Sequence, residues 1–480
     1  MSDPDTAPRK TIPIVPAAVA DDADLVSLYQ AHQKIYPRSV SGLFARWRWV
    51  LVWCTQLVFY GLPWLEWGQR QAVLFDLGAR RFYIFGLVLY PQDFIYLTGL
   101  LVISALLLFL FTAVAGRQWC GYACPQTVYT EIFLWIERKL EGDRSARMRL
   151  DEGPWNARKL LRKGGKHGVW IALSLWTGFT FVGYFTPIQE LAVAFTELRW
   201  SGWETFWVLF YGFATYGNAG FMREQVCKYM CPYARFQSAM FDRDTLIVSY
   251  DEQRGEPRGA RSRKADPAAL GLGSCIDCTL CVQVCPTGID IRQGLQYECI
   301  SCAACIDVCD DVMDKMNYPR GLIKYTTQNA QHHGWSRSQT WRRVLRPRVL
   351  IYSAILGAVC VAMLASLVLR TPYKVDVVRD RGVLARIVAG GMIENVYRLQ
   401  IMNATEVEQQ YHLAVTGLPG LALASEDQVT VGPAESRWVA VRLQLPYEAA
   451  GPGTHAIHFE IAARDSSHPL REKSVFLVPR

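Results

Sequence analysis

The sequence predicts a polytopic α-helical membrane protein of five transmembrane helices, with a small cysteine-rich domain inserted before the last helix and an Ig-like β-sandwich at the C-terminal end. Three observations carry this. Hydrophobic residues make up 51% of the 480-residue chain and charged ones 20%, a mixture that fits apolar spans alternating with soluble segments. Eight of the 14 cysteines lie between residues 275 and 309. After residue 370 the pattern changes to short alternating runs separated by turn residues.

In chain order, the first 38 residues are rich in Pro, Ala and Asp with no apolar core. They read as a flexible cytosolic leader, not a cleavable signal peptide. Five apolar stretches follow, at residues 49–65, 94–115, 169–185, 205–222 and 349–369, each approaching the roughly 20 residues a spanning helix needs. The second and fifth are uniformly apolar, whereas the others carry Gln56, Thr177 and Asn218. Trp and Tyr border the set, as at membrane interfaces.

Basic residues orient the spans. Residues 116–166 hold eleven Lys or Arg; residues 66–93 hold only Arg70, Arg80 and Arg81, and 187–202 only Arg199. The positive-inside rule then places the N-terminus, the 116–166 connection and the cysteine-rich domain in the cytoplasm, and the C-terminal domain outside. The net charge of +8 serves topology, since the basic residues flank apolar segments; nucleic acid is not expected as a partner. No cysteine follows Cys360, which suits an exported, oxidising location for the tail.

A short motif occurs twice, Cys120-Gly-Tyr-Ala-Cys124-Pro125 and Cys227-Lys-Tyr-Met-Cys231-Pro232. Each copy follows a predicted span at its cytoplasmic end and leads into an amphipathic segment, 127–140 or 233–241. On one helix, positions i and i+4 share a face, so each pair could present two sulfurs to a soft ion. The proline after each pair is expected to bend or end that helix. Thiolates suit Cu(I), zinc or iron–sulfur centres. Nearby Arg117, Arg223 and Lys228 would lower the thiol pKa. Small buried helix-end residues are the bland alternative; a disulfide is disfavoured on the cytoplasmic side. Cys54 and Cys360 read as helix-packing residues, and His167, His332 and His333 as weak ligand candidates.

The eight clustered cysteines form two copies of one ligand set. The first is Cys275, Cys278, Cys281 and Cys285, followed by Pro286; the second is Cys299, Cys302, Cys305 and Cys309. Three thiolates spaced by two residues wrap one cubane cluster, and the fourth reaches the neighbouring one in two-cluster bacterial ferredoxins. The expected assignment is therefore crossed. One 4Fe–4S cluster takes Cys275, Cys278, Cys281 and Cys309; the other takes Cys299, Cys302, Cys305 and Cys285. Zinc sites usually use separated pairs, and a disulfide scaffold has no need of two identical spacings in tandem. Asp310 stands where proline follows the first run, a departure that leaves the ligands untouched.

After residue 370, alternating runs at 383–388, 397–402, 410–415, 438–445 and 455–461 read as strands of a β-sandwich without the immunoglobulin cysteine pair. His412, His455, His458 and His468 are scattered and read as surface residues. The expected division is a leader (1–45), a four-helix region (46–240), the ferredoxin domain (241–345), the fifth helix (346–370) and a β-domain (371–480) suited to docking.

The WCGYACPQTV segment (119–128), the CKYMCPYARFQSAMFD segment (227–242), both ferredoxin runs and the β-tail together resemble the FixG/CcoG family, over nearly the whole chain beyond the leader. The resemblance implies an accessory protein of the bacterial inner membrane for assembly of the cbb(3)-type haem–copper oxidase, acting as a cupric reductase. It implies copper as substrate at Cys120, Cys124, Cys227 and Cys231, two 4Fe–4S clusters at the eight other cysteines, an unidentified cytoplasmic electron donor, and oxidase subunits or copper chaperones as partners, with membrane lipid around the spans. Two other functions stay open: a quinol-linked membrane ferredoxin of a respiratory chain, as the same Cys-Pro motifs in related respiratory ferredoxins suggest, and a non-catalytic assembly scaffold.

Overall fold

The computed structural model describes residues 34–267, 269–380, 382, 385–464 and 469–479. Most of the expected leader (1–33) and His468 lie outside the described residues. The described part of that leader before Leu43 has no helix or strand and is docked. Arg38 N–H donates to Gln283 O at 2.8 Å, and Tyr36 and Lys34 both reach Asp151 at 2.6 Å.

All five apolar stretches are helical: Leu43–Gly61, Phe94–Ala115, Ala157–Val182, Gly202–Thr215 and Pro347–Val368. Two helical stretches, Pro91–Ala115 and Pro347–Val368, are long and apolar enough to cross a membrane. The other three differ for visible reasons. Leu43–Gly61 carries Arg46 and Arg48 in its second turn, and Ala157–Val182 opens on five Lys or Arg. Gly202–Thr215 is α-helical for only 14 residues before it widens into a π-helix over Tyr216–Met222.

Two packing units result. Phe94–Ala115 pairs with Pro347–Val368, where Tyr96 Oη donates to Ser366 O at 3.1 Å. Ala157–Val182 packs on Gly202–Thr215 so closely that a Cβ on Gly178 would lie 2.2 Å from Val208 O. Only a glycine permits such backbone approach.

Loops gather at two ends. At one end, residues 66–93 fold into a hairpin, Glu66–Trp67 with Arg70–Gln71, and a three-stranded antiparallel sheet, Val73–Asp76, Arg81–Ile84 and Leu87–Leu89. This sheet, which no periodicity in the sequence announced, packs Leu74, Tyr83, Val88 and Tyr90 against Met402 and Ala434 of the C-terminal domain. Tyr90 Oη donates to Asn403 O at 2.8 Å. Asp93 is paired with Arg370 at 2.9 Å and with Lys374.

The C-terminal domain is a sandwich of two antiparallel sheets. One sheet orders Ala422–Leu423, Ser436–Pro446, Met392–Asn403 and Tyr373–Arg379, with Arg386–Val388 on the same central strand; the other orders Gln428–Val431, Gln409–Thr416, Gly453–Ala463 and Leu470–Val478. Alternate residues fill the core, including Tyr397, Leu399, Ile401, Leu443, Ile457, Phe459 and Phe476. Tyr373–Arg379 and Leu470–Val478 extend the expected strand set. Their outward charges, such as Lys374, Arg471 and Lys473, mask a period-two apolar face.

The ferredoxin domain sits at the opposite end. Strands Ile247–Tyr250 and Ile323–Thr326 pair antiparallel and close it at both its entry and its exit. Asp307 accepts from the Phe44 and Ala45 amides at 3.1 and 2.7 Å, seating the domain on the start of the first helix.

Candidate iron–sulfur and thiol centres

The two ferredoxin runs take the same backbone path. Asp277 and Ser301 are left-handed (φ 53° and 54°), as are Thr279 and Ala303 (φ 55° and 58°). Such turns form concave nests of N–H groups suited to anionic groups. Each run then opens a helix, Leu280–Gln283 and Ala304–Met316. The first stops after four residues because Pro286 disfavours helix at Cys285. Asp310 keeps its N–H, so the second continues through Cys309 for 13 residues.

Tertiary packing brings the eight cysteines into two similar cavities. Cys275, Cys278, Cys281 and Cys309 line one, of about 380 Å³, with Tyr250, Leu280, Val312 and Ile323. Cys285, Cys299, Cys302 and Cys305 line the other, of about 360 Å³, with Ile289, Ile291 and Ile300; Cys281 stands between the two. Burial pushes Cys281 up to about 11 and Cys299 and Cys309 up to about 12, and raises Cys302 and Cys305 as well. A thiolate there needs a cationic partner. The protein supplies Arg292 near Cys281, Arg48 near Cys302 and Arg117 near Cys299. Four cysteines, apolar walls and amide nests around each cavity fit the donor set of a 4Fe–4S cluster. Cys278 is exposed, whereas Cys302 is buried.

The two Cys-Pro motifs also share one geometry, which differs from a single helix carrying both cysteines. Cys120 lies in the short helix Gln118–Tyr122, which ends before Cys124; Cys124 is extended and caps Pro125–Glu141. Cys227 lies in the π-turn Val226–Met230, and Cys231, also extended, caps Pro232–Ala239. Each proline begins a new helix at its first position, where its missing N–H costs nothing, and the extended cysteine before it marks the end of the preceding helical segment, as expected.

The four thiols share one neighbourhood. Each of Cys120, Cys124, Cys227 and Cys231 lies within electrostatic reach of the other three. Among the described residues, no three His, Cys, Asp or Glu side chains converge tightly enough to enclose a single ion. Burial raises Cys120 and Cys124 and pushes Cys227 up to about 12. This corrects the expectation of lowered thiol pKa values. Arg117 acts against burial at all three, while Arg223 is committed to Glu137 at 3.1 Å.

Gln126, Gln237 and Thr112, which carried no sequence signal, help hold this site. Cys120 Sγ donates to Gln237 Oε1 at 3.1 Å, and Gln237 Nε2 reaches Thr112. Gln126 Nε2 donates to Asn218 O and Arg223 O at 3.0 and 3.1 Å, tying the first motif to the approach of the second. Arg117, 2% exposed, donates to Tyr297 O beside the second cluster run. Cys120 packs against the apolar shell of Ile300, Cys302 and Ala304. The four-thiol site thus abuts the buried cavity, not the exposed one. Among the described residues, Cys54, Cys360 and the histidines are not part of it: His167 bonds Tyr216, His412 meets Asp427, and His455 meets Gly451 O.

Two cysteine-lined cavities in a ferredoxin domain, joined to a C-terminal β-sandwich, define an iron–sulfur redox protein. Family models agree with this architecture. A 4Fe-4S dicluster domain matches residues 222–328, a 4Fe-4S binding domain matches 97–142, and the IG-like fold at the C-terminal of FixG matches 363–479. The chain is 39% identical over 438 residues to the nitrogen fixation protein FixG of Rhizobium meliloti, covering 84% of this chain and 83% of that one. It is 40% identical to protein RdxB and 41% to protein RdxA of Cereibacter sphaeroides, covering 92% and 90% of this chain and 93% of each relative. A crystal structure of a FixG-related protein from Vibrio parahaemolyticus aligns with 22% of this chain and 97% of its own, at 25% identity and a TM-score of 0.21. The chain belongs to the FixG family, and it is an iron–sulfur redox protein of the FixG/Rdx type.

Proposed function

We propose that the chain is a multi-pass membrane protein that reduces Cu(II) to Cu(I) at Cys120, Cys124, Cys227 and Cys231, for assembly of a cbb(3)-type haem–copper oxidase. The observation that carries this is the gathering of four thiols against the shell of Cys302. Cys275, Cys278, Cys281 and Cys309 would hold one 4Fe–4S cluster and Cys285, Cys299, Cys302 and Cys305 the other. When bound, these clusters supply electrons singly, and Cu(II) takes up one electron to become Cu(I). Soft sulfur ligands favour the reduced ion. The break before the second cysteine of each motif leaves both pairs free to draw in around it.

Membrane insertion is supported by apolar side chains exposed on all five helices, among them Leu57, Leu101, Trp176, Phe213 and Leu364. The basic 116–166 connection and the ferredoxin domain then face the cytoplasm, with the electron donor, and the β-domain faces outward, towards oxidase subunits or copper chaperones.

The test is anaerobic purification in detergent, iron and copper analysis, and reoxidation of the dithionite-reduced chain by Cu(II) or by a quinone. Expected are about eight irons per chain and rapid reoxidation by Cu(II) with Cu(I) trapped by a chelator. The C227S/C231S variant should keep its iron but lose copper binding and Cu(II) reduction. Unchanged reduction in that variant, or reoxidation by quinone alone, would refute the copper role.

One observation favours a second reading, a third 4Fe–4S cluster at the four thiols. The matched 4Fe-4S binding domain over 97–142 contains only Cys120 and Cys124 as cysteines. About twelve irons per chain, falling to eight in C227S/C231S, would support it.

A further inference from the structure

Two cavities meet at the junction between the helices and the ferredoxin domain. One is an apolar groove of about 1260 Å³ between helices Leu43–Gly61 and Pro125–Glu141, walled by Trp49, Trp53, Leu57 and Trp135. Trp53 and Leu57 are 62% and 67% exposed. The other is a polar cavity of about 620 Å³ holding Arg38, Arg48, Arg138 and Arg147 against only Glu131 and Asp143. Trp49, Trp135 and Arg138 line both, so the polar cavity is the head of the apolar groove.

Arg147 is paired with Glu137 at 2.9 Å, but Arg38 and Arg138 have no ion pair among the described residues. Arg138 is half-buried and makes no side-chain hydrogen bond or ion pair among the described residues. Arg48 and Arg147 are 7% and 3% exposed, and the Nε of each lacks a hydrogen-bond partner. Asp143 is occupied by the Ser39 amide at 3.1 Å. Burying guanidinium groups with unmet donors is costly, so an anion is expected beside them. A free phosphate would leave the tryptophan-lined groove uncovered, and a neutral quinone would leave the charge uncompensated.

We infer that this paired cavity binds an anionic phospholipid, its phosphate at Arg38, Arg48 and Arg138 and an acyl chain along Trp53, Leu57 and Trp135. Basic pockets between helices on the cytoplasmic side are a recurrent way to hold such headgroups, and tryptophan suits the interfacial depth. The inference rests on the membrane reading above. Its consequence is specific to this fold. Val284, Pro286 and Ala304 of the ferredoxin domain line the same cavity, and Arg48 donates to Cys302 O at 3.1 Å. The lipid therefore seals the ferredoxin domain to the helices beside the buried cluster cavity.

The test is native mass spectrometry of the full chain, clusters intact, in mild detergent with added phosphatidylglycerol or phosphatidylcholine. Wild type should retain phosphatidylglycerol with a preference of about tenfold or more over phosphatidylcholine. The R38Q/R138Q variant should lose most of that preference with iron content unchanged. R158Q, an exposed position lining neither cavity, should keep it. Equal retention of both lipids, an undiminished preference in R38Q/R138Q, displacement by millimolar inorganic phosphate, or a retained mass matching an isoprenoid quinone would each overturn the inference. Retention of neither lipid would overturn the inference as well, whereas the membrane reading is tested separately by reporter fusions.

Discussion

At Gly121 a single methyl group has no room. A Cβ there would lie 2.6 Å from Ile300 O and 2.8 and 2.9 Å from the Cα and N of Cys302. The neighbour is ligand-run backbone, which cannot swing aside as a side chain can. We expect G121A to cost about 1–3 kcal/mol through overpacking, read as a lower Tm. Electron paramagnetic resonance of the reduced protein should show the cluster signal of the Cys285, Cys299, Cys302, Cys305 site altered and the other retained; equal perturbation of both would contradict the contact. The cysteines themselves were legible, because their spacing is local chemistry. Gly121 was not, nor was the contact Arg117 makes to Tyr297, which lies 180 residues further on.

Among the elements, helix Pro125–Glu141 does most to assemble the thiol end. Its apolar face buries Phe133 and Ile136 against Trp170, which periodicity announces. Its buried acids were not foreseeable. Glu137 is 1% exposed and receives Arg147 at 2.9 Å, Arg223 at 3.1 Å and Lys166 at 3.5 Å. These bonds join three helices to the π-turn that precedes Cys227. Burial alone would raise the Glu137 carboxyl, but Arg223, Arg147 and Lys166 outweigh it and hold it below the usual carboxylate value. A depressed carboxyl stabilises the fold above its unfolded value, about 4.3, and that stability is lost as pH falls through the folded value. Wild type should therefore destabilise as pH drops below about 4.3. E137Q, already weaker by about 3–5 kcal/mol from its unpaired cations, should show a shallower loss over the same window. Denaturant unfolding at stepped pH measures both; parallel curves would exclude this role for Glu137.

Over the whole molecule, the connections sort to two ends. Residues 66–93 contact both residues 183–188 and the β-sandwich. Phe75 N–H donates to Tyr184 O at 2.7 Å and Gln92 reaches Asp376 at 2.6 Å. The N-terminal strap and the 116–166 connection contact the ferredoxin domain instead. Arg346 closes that end by donating to Ala113 O at 2.6 Å and Asp242 at 3.0 Å. This sorting parallels the basic-residue bias along the chain. Accordingly, a phosphatase that folds only outside the cytoplasm should be active when fused after Arg480 and inactive when fused after residue 345. The reverse pattern would invert the topology.

The amino-acid order by itself determined the two four-cysteine runs, the twin Cys-Pro motifs, the two strongly apolar helices and the alternating strands of the tail. Each is a short-range pattern whose spacing is set by backbone geometry. Only the tertiary structure decided that the four thiols lie against the buried cluster cavity, that arginines and tryptophans from separate helices share one groove, and that the 66–93 connection folds onto the β-sandwich. Those relations join residues far apart in the chain, and burial, backbone clearance and charge pairing between them exist only once the elements have packed.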